Sequence, residues 1–528
     1  MIPISNLNTG FNDAVNYKLR ENKEIFNNFF VNQKIIEDIV PTNISFLVGD
    51  KGTGKTAYAV YMTNNETKNT NSVLHFLMET EYQKFVQLKK EHSLVLSDYT
   101  QAWRVIIYLL MAKKISQNAP GNFSFFGNNK FQNLINAIDD FYNDAFSPEI
   151  ITAMNFAENS RVAAQVMNKH IGKFGGENST SVNFVNQTYQ INLLYLRKQF
   201  EEAFRSIKLV KNHIIFIDGI DVRPQNIPHE EYLDCVRGLA NAIWSVNNDF
   251  FANIKDSHGR MKVVLLVRPD IFNLLGLQNQ NTKMRDNSVL LDWRTKYPEY
   301  RKSELFLLAD KILSSQQESK LEHGQAWDHY FPFKVESKMK KANDSFISFL
   351  RFSLFRPRDI VTMINIMKLS ALERDKEASH FIVNDFDSPT FRRAYSTYML
   401  GEIKDQISFY HTPEDYEDFL RFFSYLDGKT RFNYEEYTVF FEQFYDEIIS
   451  KKRQIPKFFG SPEDFLQFLY ELSIICYIQE AEDDAEKFIS WCHQDRSTVN
   501  ISPKVITRVR YEIHYGLAKA LNVGKRFK

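Results

Sequence analysis

The chain has 528 residues and carries 65 Lys and Arg against 65 Asp and Glu; no overall basic field advertises nucleic acid or an anionic membrane as its partner. Apolar residues make up 44% and charged residues 25%, which excludes a disordered chain, and the length exceeds what one hydrophobic core serves and points to about two to four domains. Cys235, Cys476 and Cys492 form no C-x-x-C pair, which argues against a zinc site or a disulfide framework and suits a reducing compartment.

The N-terminal stretch Met1-Ile2-Pro3-Ile4-Ser5-Asn6 has neither the basic nor the apolar region of a signal peptide. The longest apolar runs are strand-like, such as Val263–Val267, far below the ~18 residues of a membrane span. The expectation is a cytoplasmic protein with no membrane partner. Residues 11–40 place Val15, Leu19, Ile25, Phe29, Ile35, Ile36 and Ile39 at helical spacing, and Pro41 ends that segment.

Next comes Ile44-Ser45-Phe46-Leu47-Val48-Gly49-Asp50-Lys51-Gly52-Thr53-Gly54-Lys55-Thr56, a buried strand running into G-x-x-x-x-G-K-[ST]. Gly49, Gly52 and Gly54 let the backbone turn tightly, so that successive N–H groups point at phosphate oxygens. Lys55 supplies a point charge for the β- and γ-phosphates, and the Thr56 hydroxyl can join a Mg²⁺ shell. A helix beginning at Lys55 would aim its positive dipole end at the same phosphates. Asp50, Lys51 and Thr53 complete the loop. This pattern predicts a site for a nucleoside triphosphate, with ATP and Mg²⁺ as the cofactors.

After a polar break at 64–71, a strand is expected at Val73–Met78 and a buried helix at 100–116. The region near 117–185, rich in Asn, Gly and Ser, reads as an insertion of loops and short helices. A helix at 188–208 leads to a second apolar strand, Ile214–Ile217, followed by Asp218. At the end of a mid-sheet strand, Asp218 can hold Mg²⁺, usually through water. Where many related ATPases place a water-polarising Glu directly after this Asp, the chain has Gly219. Asp221 is the nearest substitute, with helix capping as its equally weighted alternative, and hydrolysis is expected to be slow.

A helix at 233–247 precedes the strand Val263–Val267, which ends at Arg268; the place is similar to that of the polar γ-phosphate sensor of AAA-type ATPases, which makes Arg268 the candidate for that role, with bonding to surface acids as the alternative. A last strand, Val289–Leu291, precedes Asp292-Trp293-Arg294. Arg285 and Arg294 are arginine-finger candidates, for which in-chain salt bridges are the favoured reading. Strands alternating with helices imply a parallel sheet with helices on both faces. This α/β P-loop core is expected over 1–325.

From about 335 the pattern becomes helices only: a helical lid at 326–400 and a further helical region at 401–458. Phe355-Arg356-Pro357-Arg358-Asp359 opens a helix there. Pro357 suits the first turn, and Arg358 sits at the positive end of the dipole, a poor place for a cation unless a phosphate is near. Arg358 is therefore favoured over Arg356 as the nucleotide-contacting arginine. At 459–528 the order is helix (463–473), strand (474–479), polar wing (480–484), strand (487–492) and a final helix with Leu517, Ala520 and Leu521, which resembles a winged-helix domain. The abundance of aromatics, 46 Phe and 25 Tyr, reads as core filling rather than as a stacking platform.

Through Gly49–Thr56, Ile214–Asp221, Val263–Phe272, Asp292–Arg294, Arg356–Asp359 and the terminal Arg510–Leu517, the chain resembles bacterial STAND/AAA-like P-loop ATPases of the additional-strand class. They carry a helical lid and a C-terminal winged helix, and the most similar group is often found in phage-defence loci. The resemblance implies a signal-gated ATP switch acting through an effector protein or a homo-oligomer, with antiviral defence as its context. The alternative is a DNA-binding ATPase of the origin-recognition or transposition-regulator type. Residues 461–500 hold nine acids against two bases and residues 501–528 one acid against seven bases, so the terminal module is not basic throughout, as a DNA reader usually is.

Overall fold

The computed structural model describes residues 1–31, 33–77, 96–117, 194, 197–198, 200–205, 207–224, 227–336, 342–450, 455–480 and 487–524. The insertion expected near 117–185, apart from its first residue, and the wing beyond residue 480 lie outside them. The chain divides into two compact units, one formed by Lys34–Val48 and Tyr58–Val289, the other by Met1–Gln33, Gly49–Ala57 and Leu290–Lys528.

The first unit is built on a five-stranded parallel sheet. Its strands are β1 (Phe46–Val48), β2 (Thr70–Phe76), β3 (Asn212–Asp218), β4 (Met261–Val267) and β5 (Ser288–Leu290), in the order β2-β3-β4-β1-β5. The pairings β2–β3, β3–β4 and β1–β4 are all parallel. β4 is buried along its whole length, as a strand covered on both faces must be. Helices Leu96–Gln117 and His229–Ser245 pack together, and the Trp103 indole N–H donates to the Cys235 carbonyl at 3.1 Å.

β2 begins earlier than expected, at Thr70. Lys68 and Asn69 take positive φ values of 50° and 54°, and this tight turn allows polar Thr70–Ser72 to enter the sheet. Between residues 194 and 205 the described residues are helical, as expected. The segment 11–40 is less regular than its spacing suggested: a 3₁₀ turn at Ala14–Lys18, then helices Arg20–Phe29 and Gln33–Ile39.

β1 has three residues and β4 has seven, so the amino end of β4 outruns its neighbour, and two buried side chains fill the difference. The Asn247 amide donates to the Val263 carbonyl at 2.8 Å and accepts from the Val263 N–H at 2.9 Å. It also donates to the Ser45 hydroxyl at 2.9 Å. Lys262 is 3% exposed, and its ammonium donates to the carbonyls of Ile39, Pro41 (2.7 Å) and Ile44 (3.3 Å). Burial pulls its pKa down to about 7, and the three acceptors make a lysine tolerable at that depth.

The second unit carries most of the remaining helices. Its cores are aromatic: Trp327, Phe331, Phe346 and Phe349 form one cluster of ring contacts, and Phe422, Phe444, Phe459 and Phe465 another. These rings are buried, so the Phe richness does fill cores. The stretch from 335 to 458 is not helical throughout. β6 (Lys334–Glu336) and β7 (Ala342–Asp344) form an antiparallel pair, and β8 (Arg431–Asn433) is an edge strand of a sheet completed far downstream.

That sheet has the order β10-β9-β11-β8, with β9 at Ile475–Glu480, β10 at Lys487–Ser490 and β11 at Arg510–Ile513. Tyr511 of β11 is level with Tyr477 on one side and Phe432 on the other. The helix Pro462–Glu471 precedes β9 as expected. The final helix does not form: residues 515–522 are a series of turns. Leu517 and Leu521 are nevertheless buried, which is why their spacing read as helical. Among the described residues, no helix is long and apolar enough to cross a membrane.

Replacing Lys262 by Met should take the ammonium donor from the buried Ile39 and Ile44 carbonyls, while the Pro41 carbonyl keeps the Ile44 N–H, and lower the unfolding free energy by about 2–4 kcal/mol, read from chemical denaturation. A loss under about 0.5 kcal/mol would show that the 39–44 segment holds itself.

Candidate functional site

The segment Gly49–Gly54 leaves β1 as a tight loop, and a helix starts at Lys55, spanning Lys55–Asn64. Gly52 and Gly54 take φ values of 88° and 96°, a region that side chains disfavour. Each carbonyl from Gly49 to Thr53 accepts a hydrogen bond. The Lys55 ammonium donates to Gly49 (2.8 Å) and Asp50 (3.2 Å), and the Thr53 N–H and hydroxyl also donate to Asp50. Arg356 Nη1 donates to Lys51 at 2.9 Å. The Arg358 backbone N–H donates to Gly52 at 3.3 Å, and the Trp293 indole N–H donates to Thr53 at 2.9 Å.

The donors are arranged the other way. The N–H groups of Lys51, Gly52 and Gly54 bond to nothing among the described residues. A run of backbone donors left open in a tight turn is an anion-binding concavity. Lys55, 8% exposed, is folded back across this same loop.

Charged side chains surround the loop within its own unit. Arg356 is buried and pairs with Asp359. Burial opposes its charge, but Asp359, Tyr398 and Glu402 outweigh that and raise its pKa. Arg358 Nε donates to the Asn12 carbonyl at 3.0 Å, and its Nη1 pairs with Glu402 at 3.1 Å. Lys51 pairs with Asp405 and Glu402. From the C-terminal module, buried Arg496 pairs with Asp50. His493, three residues before Arg496, is held neutral, chiefly by burial and then by neighbouring His514, Arg356, Arg496 and Arg294.

Sequence reasoning singled out Arg358 and placed Arg356 second. Both reach the loop, Arg356 through its guanidinium and Arg358 through its backbone. Trp293, Arg496, Glu402 and Asp405 were not foreseen as neighbours of the loop, because no local pattern marks them. Arg294 pairs with Asp292 and donates to the Gln494 carbonyl. Arg285 lies exposed on the helix Gln280–Asp286.

In the sheet-bearing unit, Val48 is level with Val267, and Ile217 with Leu265, so β1, β3 and β4 end at one edge. Asp218, 8% exposed, closes β3 and accepts from the Gly219 N–H at 2.8 Å. Arg268 follows β4, is 2% exposed, and pairs with Asp270 at 2.8 Å. Asp221 is half-buried in the next turn, which Tyr232 fixes by donating to the Ile220 carbonyl at 2.9 Å. Gly219 has a physical reason. Its φ is 91°, and a Cβ there would stand 2.7 Å from the Leu77 carbonyl oxygen, so a Glu cannot occupy this position without moving β2.

With the fold and the loop in view, the chain matches no known family model and no curated protein.

Gly219→Ala should cost about 1–3 kcal/mol, from the positive φ and the clash with Leu77. Thermal unfolding of the variant measures it, and an unchanged midpoint would show that the turn after β3 relaxes freely.

Proposed function

We propose that this chain is a P-loop ATPase that works as a slow, ATP-gated switch. The observation that carries the reading is the loop at Gly49–Thr56, whose carbonyls from Gly49 to Thr53 are all engaged while the Lys51, Gly52 and Gly54 N–H groups are left open for an anion. In this reading those groups and Lys55 cradle the β- and γ-phosphates. By the sequence pattern, Thr56 and Asp218 are the residues assigned to a Mg²⁺ that would arrive with the nucleotide and supply charge neutralisation. Among the described residues no group of three or more His, Cys, Asp or Glu could hold a metal by itself, which suits Mg²⁺, an ion that keeps its waters and takes one or two carboxylates.

The strand order supports the additional-strand class, since β4 lies between β1 and β3. Gly219 leaves Asp221 as the residue to orient the attacking water, which makes hydrolysis slow, and Arg268 would sense the γ-phosphate from the end of β4. The helix Pro357–Arg374 acts as the lid and the C-terminal sheet with its helix as a winged-helix-like module, as in the STAND/AAA-like ATPases the sequence resembles. A protein partner or a second copy of the chain reads the switch. DNA is the less favoured partner, because Lys487 of β10 and Arg510 of β11 are both paired with Glu480, while Phe488 and Ile489 are exposed.

Lys55→Ala should weaken ATP binding by about 100-fold or more, roughly 2.7 kcal/mol, because the β- and γ-phosphates lose the lysine placed between them. Wild-type affinity in this variant would remove the nucleotide reading. Asp218→Asn should keep most nucleotide affinity and lower Mg²⁺-dependent turnover by about tenfold or more, an assay in which an unchanged rate would assign the metal to another acid. Arg358→Ala should reduce the preference for ATP over ADP more than it reduces ADP binding, measured by calorimetry. Equal losses for the two nucleotides would leave Arg358 a structural residue.

A further inference from the structure

Glu402, on the helix Pro389–Ser408, stands among three cations that border the loop. Its Oε2 lies 3.1 Å from Arg358 Nη1 and 3.9 Å from Arg356 Nη1. Its Oε1 lies 3.5 Å from Lys51 Nζ. The side chain is 13% exposed, dry enough for these pairs to matter.

The three cations depend on it unequally. Arg356 has a fully buried partner of its own, Asp359 at 2.6 Å, and a bond to the Lys51 carbonyl. Lys51 also has Asp405, three residues further along the same helix. Arg358 has no other acidic partner among the described residues. Its Cβ would meet a Cβ placed on Gly52 at 3.2 Å, and its backbone N–H donates to the Gly52 carbonyl, so the arginine whose charge Glu402 neutralises begins beside a loop residue whose N–H is open.

We propose that Glu402 is the specificity-determining residue for the terminal phosphate: it pairs with Arg358 and Lys51 and yields them to the γ-phosphate of ATP. The proposal rests on the nucleotide reading above. A phosphate carries more charge than a carboxylate and more acceptor oxygens for a guanidinium fork, so ATP can displace Glu402 where ADP lacks the group to do so. The helix carrying Glu402 and Asp405 is then released in one nucleotide state and held in the other.

The test is calorimetric binding of ATP and of ADP to the full chain as wild type, Glu402→Gln, Asp405→Asn and the double variant Glu402→Gln/Arg358→Ala. Glu402→Gln should tighten ATP by about tenfold, the effect of removing one competing charged hydrogen bond, with little change for ADP. The double variant should lose that gain. Asp405→Asn, at a 62% exposed side chain where folding is not at risk, should raise the ATP-to-ADP ratio by about twofold, because Lys51 then draws more on Glu402 and loosens its hold on Arg358. Nucleotide binding with an unchanged ATP-to-ADP ratio in both single variants overturns this proposal alone. Binding of neither nucleotide by wild type or by Glu402→Gln removes the nucleotide reading, and this proposal with it.

Discussion

The glycine loop depends on the disposal of its carbonyl oxygens. A peptide unit that turns its carbonyl to one side presents its neighbour's N–H on the other, so fixing one set of groups orients the second. From Gly49 to Thr53 the carbonyls are taken by Lys55, Thr53, Arg356, the Arg358 backbone and Trp293. Each bond is worth about 1 kcal/mol net, more where the donor is charged. Together they hold a backbone that two positive-φ glycines would otherwise leave loose, and they hold it with its donors open, which is the preorganisation an anion site requires.

The strand feeding this loop needs comparable support. β1 has only Phe46–Val48 to anchor it, all three fully buried. The Lys262 ammonium and the Asn247 amide tie the segment ahead of it to β4, through Ile39, Pro41 and Ile44 in one case and Ser45 in the other. Both are polar groups placed in an apolar layer, where they are tolerated because every bond they need is made. A register slip of β1 would leave those groups unpaired, so the clamps also fix where Gly49 leaves the sheet.

What the sequence made legible follows from the range of the forces involved. The strands around Ile214–Ile217 and Val263–Val267 are marked by continuous apolar runs, and the loop by glycines at fixed spacing; these are local signals. β8 and β11 are three and four residues long and exist because they find each other across the chain, a non-local event with no periodicity to announce it. Leu517 and Leu521 mislead because burial at a spacing of four also arises in a chain of turns. At the loop, Arg356 and Arg358 could be named because Pro357 marks a helix start, whereas Trp293, Arg496 and Glu402 act through distant partners. Gly219 was visible as a missing Glu, and only the approach of the Leu77 carbonyl explains why the chain has no choice there.

On the proposed nucleotide reading, the pinning of the loop also limits where a response can arise. A ligand shifts a conformational equilibrium only through interactions that differ between the two states. The bonds from the Arg358 backbone and the Trp293 indole join uncharged groups, for which a phosphate competes less than it does for charged donors, so on the proposed reading they hold the loop in either nucleotide state. The groups able to exchange partners are the charged side chains: Arg358 and Lys51 with Glu402 and Asp405, and Arg496 with Asp50. Moving a population from about 1:99 to 99:1 requires roughly 5.5 kcal/mol of differential affinity, more than one ion pair supplies. A sharp switch therefore calls for several of these pairs to change together. Their acids lie on one helix and on the loop, with Arg496 added from the C-terminal module, so the exchange of one pair bears directly on the next.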